Sequence, residues 1–151
     1  MLRRTLAAAA LLGASVLPAE EGVLEKTIPF PRDRYGELNM VYKKCTIRYL
    51  EPRNYPDQED IEKARANDPK DTSWLWWQLD LENKGPEKFK IKLVVEVLDK
   101  DGKVIKSSDR NVTIDGFEDE SYRLSMRMRT LDAADSPKVR VRAQFVHDKK
   151  S

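Results

Sequence analysis

The sequence predicts an all-β fold: an antiparallel two-sheet β-sandwich of about seven strands with one short helical insertion, at about 57–66. Three observations carry this. Trp74 to Glu82 alternates strictly, with Leu75, Trp77, Leu79 and Leu81 on one face and Trp74, Trp76, Gln78, Asp80 and Glu82 on the other. A strand sends successive side chains to opposite faces, so this period of two marks a sheet with one face turned to a core. Phe89, Ile91, Leu93, Val95 and Val97 repeat the pattern. Turn chemistry punctuates the runs: Asn83-Lys84-Gly85-Pro86, Asp99-Lys100-Asp101-Gly102 and Asp115-Gly116.

Residues 1–19 read as a signal peptide. Arg3 and Arg4 form a positive start, Leu6 to Val16 is an Ala- and Leu-rich run too short to cross a bilayer, and cleavage is placed after Ala19. No cysteine follows the run to carry a lipid anchor. Residues 20–37, broken by Pro29, Pro31 and the Arg32-Asp33-Arg34 cluster, read as an extended leader with a short strand at Leu24–Ile28. The sandwich itself is assigned to 38–147, with an insertion at 51–72 and a charged tail at 148–151.

Within the sandwich, Asn39 to Leu50 reads as one strand, with Val41, Cys45, Ile47 and Tyr49 inward and Lys43 at a rim or bulge. In the insertion, Asp57 caps a helix whose first turn is acidic, and Asn67-Asp68-Pro69 stops it. Strands follow at Ser73–Asn83, Lys88–Leu98, Lys103–Lys106, Asn111–Ile114, Ser121–Arg129 and Lys138–Val146. The last two turn Tyr122, Leu124, Met126, Met128 and Val139, Val141, Ala143, Phe145 inward.

The pattern Trp76-x-x-x-Asp80-x-x-Asn83-x-Gly85, the alternating strand Phe89–Val97, and Leu98-Asp99-x-Asp101-Gly102-x-Val104 resemble the central hairpin of exported bacterial Ig-like domains of the FxLYD type. The resemblance covers roughly 73–115, and Val97-Leu98-Asp99 stands where that family has an aromatic-rich Leu-Tyr-Asp run. It implies an Ig-like sandwich and an accessory or binding role outside the cytoplasm, periplasmic or secreted.

Charge adds little. The chain carries 28 basic and 26 acidic residues, and Arg3 and Arg4 account for the surplus. Bulk charge therefore gives no argument for a nucleic-acid partner, and no stable membrane insertion is expected after signal cleavage. Cys45 is the only cysteine and His147 the only histidine, and they lie on distant strands; neither forms a nucleophile–base pair, so no enzyme is expected. Asp99-Lys100-Asp101-Gly102 departs from a calcium loop, because its glycine comes too early and the twelfth position is Arg110. No metal or other cofactor is expected.

What remains is a surface. Trp74 and Trp76 form an apolar strip on the polar face of their strand. Either the 51–72 segment covers it through Tyr55, Ile61 and Ala64, the favoured reading because that helix needs a dock, or it binds a ligand. A bulge near Trp76 would exchange the two faces. Arg123, Arg127 and Arg129 on one strand and Arg140 and Arg142 on another are outward; if those strands pair, their charges crowd one face and require carboxylates such as Asp80, Glu82 or Glu96. The expected role is a non-enzymatic binding module for a protein or envelope component. The alternative is a carbohydrate-binding module that stacks polysaccharide on Trp74 and Trp76.

Overall fold

Residues with a two-residue apolar period can bury one face only against another such face, and here two sheets do this for each other. The computed structural model describes residues 22–32 and 34–146. Eight strands, β1 (Val23–Pro29), β2 (Gly36–Tyr42), β3 (Cys45–Arg53), β4 (Thr72–Asn83), β5 (Phe89–Leu98), β6 (Val104–Ile114), β7 (Asp119–Arg129) and β8 (Lys138–Val146), form the sandwich. Helices α1 (Gln58–Asn67) and α2 (Thr130–Asp135) follow β3 and β7. One sheet has the order β1-β8-β5-β6 and the other β2-β3-β4-β7, with every pairing antiparallel. The all-β sandwich is as the alternation predicts, and the core rows of β4, β5, β7 and β8 are those named above, with only Tyr122 half-buried.

Several elements differ from the sequence reading. The short strand read at Leu24–Ile28 is present as β1, but it belongs to the sandwich rather than to a leader: it pairs with β8 along its whole length and buries Leu24 and Ile28. The single strand read over Asn39–Leu50 is two strands joined at Lys43-Lys44, with Tyr42 opposite Cys45. Lys43 holds φ 55°, a conformation usually given to glycine in so short a turn, and no glycine or asparagine marks it in the sequence. On β2 the inward residues are Leu38, Met40 and Tyr42, and Val41 is exposed. A register shift between Ile47 and Tyr49 turns Tyr49 off the core, so Leu50 takes the inward place. The strands read at Lys103–Lys106 and Asn111–Ile114 are one continuous edge strand, β6, whose first half is largely exposed.

Helix α1 starts where expected: the Asp57 side chain accepts from the Asp60 amide at 2.8 Å, and Glu59 and Asp60 fill the first turn. It buries Ile61 and Ala64. Arg65 grips Asp135 of α2 in a two-pronged ion pair at 2.9 and 3.2 Å. Helix α2 carries the chain from β7 in one sheet to β8 in the other, and Arg32 bonds the carbonyls of Ala133 and Ser136 at its end.

The Arg65 hydrogen bond holds the Asp135 carboxyl below its ordinary value. A carboxyl lowered on folding adds stability above its unfolded pKa and loses it as pH falls through the folded one. Arg65→Ala is therefore expected to return Asp135 to the ordinary carboxylate range in an NMR titration. The stability gap between variant and wild type should close below about pH 4. The gap is small, because both side chains are more than half exposed. A titration unchanged by the substitution would remove the ion pair from this account.

The lateral edges of the β2-β3-β4-β7 sheet are guarded. Lys26 Nζ donates to Leu38 O on β2 at 2.7 Å, and on β7 Ser108 Oγ donates to Ser125 O at 2.7 Å and Arg110 Nη1 to Arg123 O at 3.0 Å. Side chains from β1 and β6 thus occupy backbone carbonyls that would otherwise invite another strand.

Candidate functional site

β4 lies between β3 and β7, and its pairing with β7 runs without a shift from Thr72 to Glu82. The bulge considered near Trp76 is absent there, so the faces stand as read. Trp77 is fully buried, Trp74 is 53 % exposed and Trp76 is half-buried. Trp74 sits opposite Arg127, and Trp76 opposite Ser125. Arg123 lies over the Trp76 ring at 4.2 Å from its centroid, and Arg127 lies 6.0 Å from that of Trp74. Two guanidinium groups are thus laid on two indoles across one antiparallel ladder, an attraction between cation and ring face.

The 51–72 segment does not cover this strip, contrary to the favoured sequence reading. Helix α1 packs on α2 instead. Tyr55 turns to Phe30 at 5.9 Å and bonds Ala133 O at 3.2 Å, at the end of the sandwich. Asn54 reaches the strand itself, donating Nδ2 to the backbone carbonyl of Trp74 at 3.0 Å. The helix finds its dock in the short helix α2, whose six residues carry too little periodicity to be read from sequence.

The outward arginines separate. β7 pairs with β4 while β8 lies between β1 and β5, so Arg123 and Arg127 are on one outer face of the sandwich and Arg140 and Arg142 on the other. The expected crowding does not arise. Arg140 donates to Glu96 at 2.6 Å, and Arg142 reaches Glu25 at 3.2 Å and Glu96 at 3.7 Å. Those two are neutralised, and of the carboxylates proposed above only Glu96 serves them. Asp80 and Glu82 are held by Arg48 on β3, at 2.5 and 3.4 Å, and the bond to Asp80 raises the Arg48 pKa.

By contrast, no carboxylate lies within ion-pair distance of Arg123, Arg127 or Arg129 among the described residues. Arg127 Nε donates only to the Thr72 hydroxyl, at 3.0 Å. Arg129, read as outward with them, is exposed on the same face two residues beyond Arg127. Arg53 of β3 borders the strip but is engaged by Gln78 at 3.3 Å and Glu51 at 3.8 Å.

Other candidate chemistry closes on itself. Cys45 is buried, and burial pushes its thiol up to about 12, so no thiolate is available for attack. His147 and the tail at 148–151, like the signal peptide at 1–19, lie outside the described residues. The Asp99 carboxylate accepts from the Asp101 and Lys103 amides at 2.8 and 2.9 Å, as a turn residue does. Among the described residues no group of three or more His, Cys, Asp or Glu could hold a metal, and no helix is long and apolar enough to cross a membrane.

No protein-family model matches the sequence, and no curated protein matches it. Among solved structures, a β-glucuronidase from glycoside hydrolase family 2 is similar over 40 % of this chain and 6 % of that one, at 21 % identity and a TM-score of 0.38. A likeness of that extent carries no argument about this chain.

Proposed function

We propose that this chain is an exported, non-enzymatic β-sandwich that acts as a binding or accessory module for a protein or envelope component, through the outer face of the β2-β3-β4-β7 sheet. The observation that carries the reading is Trp74, 53 % exposed beside arginines that have no carboxylate. Tryptophan and arginine are the residues most enriched where proteins grip a partner, and an indole on an open sheet face offers apolar area at little cost in rotamer entropy. The accessory role implied by the resemblance to FxLYD-type domains agrees with it. Polysaccharide stacking, the alternative, needs free indole faces, and Arg123 already lies on that of Trp76.

The test is a photoactivatable side chain placed at Trp74 and, as control, at Lys92 on the other outer face, in cells of the source organism. A discrete adduct from position 74 and none from position 92 is expected. Equal adducts from both, or an adduct from position 92 alone, would remove the face from consideration.

A further inference from the structure

We infer that the occupant of this face is an acidic polypeptide segment in extended conformation, lying along β7 with its carboxylates on Arg123, Arg127 and Arg129. The inference rests on the reading above and deepens it. The arginines share one face of a single strand, with Ser125 between them. Side chains on one face of a strand repeat every ~7 Å, so Arg127 and Arg129 stand one step apart and Arg123 and Arg127 two. An extended peptide has the same repeat, so acidic residues on alternate positions meet these cations in register.

Among the described residues no carboxylate meets the charge of these three arginines. Arg48, Arg65, Arg140 and Arg142 each hold a carboxylate, whereas Arg127 holds a neutral hydroxyl and Arg123 an indole. Stacking does not spend a guanidinium. Its N–H donors lie in the plane of the group, so an arginine resting on a ring still offers a fork to a carboxylate, and the ring holds that fork in place beforehand.

Other occupants fit less well. A second copy would bring Asp80 and Glu82 to the arginines, but Arg48 already binds both. Strand addition at the β7 edge meets carbonyls that Ser108 and Arg110 occupy. The partner is therefore received on the face, with Trp74 against its apolar side chains.

The experiment titrates the full chain against fluorescently labelled poly-L-glutamate, with polygalacturonate and poly-L-lysine in parallel. The expected result is binding of poly-L-glutamate that weakens between about 50 and 200 mM salt. Arg127→Gln with Arg129→Gln should lower the affinity roughly tenfold or more, and Lys90→Gln with Lys92→Gln, on the other outer face, should leave it unchanged. Thermal unfolding establishes that both double variants fold. The inference is overturned by absence of poly-L-glutamate binding, by equal binding to both double variants, or by binding of polygalacturonate in its place. A Trp74-specific adduct alongside any of these outcomes would leave the binding face standing and remove only the acidic partner.

Discussion

Trp77→Ala is expected to lower the unfolding free energy by about 3–5 kcal/mol, the range for truncating a buried aromatic. That is a large part of the 5–15 kcal/mol typical of a domain. Trp77 is fully buried on an interior strand and packs against Phe30 at 5.3 Å between ring centroids. Its Nε1 is a buried donor with no hydrogen-bond partner among the described residues. Such a donor costs about 1–3 kcal/mol. Trp77→Phe removes it along with part of the ring, and the two effects oppose. The phenylalanine variant is therefore expected to lose less than half of what alanine loses, read as the shift of the urea midpoint at constant slope. Equal losses would show that packing of the indole alone sets the energy. Trp74→Ala is the internal contrast: with about half of its surface in water, it should change the unfolding free energy by no more than about 0.5 kcal/mol.

The contrast between Trp74 and Trp77 was legible in the sequence because a half-buried strand writes its orientation into every second residue. The same holds for Leu124, Met126 and Met128 on β7 and for Val139, Val141 and Ala143 on β8, all buried. Legibility ends where the signal is not local. The partner of β7 is β4, about fifty residues earlier in the chain by register (Trp74 opposite Arg127), and nothing in Ser121–Arg129 names it. The helix α2 crossover that separates Arg127 from Arg140 is likewise invisible from either strand alone. The Lys43-Lys44 turn was missed for another reason: the fold imposes a positive φ on a lysine, where sequence reasoning looks for glycine. The first half of β6, exposed at a sheet edge, lacks the apolar row that makes a strand readable. For the candidate site, the indole strip could be read from β4, but its exposure depended on where α1 docks, which is a tertiary fact.

Asn83→Ala is expected to cost about 2–4 kcal/mol, more than its single-residue size suggests, because three hydrogen bonds converge on it. Asn83 is 2 % exposed; its Nδ2 donates to Glu87 O at 2.7 Å and to Asp115 O at 3.0 Å, and its Oδ1 accepts from the Gly85 amide at 3.2 Å. One amide thereby ties the β4–β5 loop to the β6–β7 loop. The two loops are also in backbone contact: Phe117 donates its amide to Gly85 O at 2.9 Å, and a Cβ on Gly116 would stand 2.4 Å from Pro86 O. Alanine leaves two carbonyls and an amide without partners at this end of the sandwich, and the loops should open before the sheets do. Hydrogen exchange should therefore accelerate first at Gly85 and Phe117, with β4 and β5 protected until global unfolding. Asn83→Asp separates the donors from the acceptor. It keeps a bond to the Gly85 amide but faces a carboxylate toward two carbonyls, which raises its folded pKa above the unfolded value. Such a group destabilises above its unfolded pKa and recovers as pH falls, so the variant should lie further below wild type at about pH 7 than at about pH 4. A deficit that does not change with pH would mean that the carbonyls turn away and the amide's two donors are not what joins the loops.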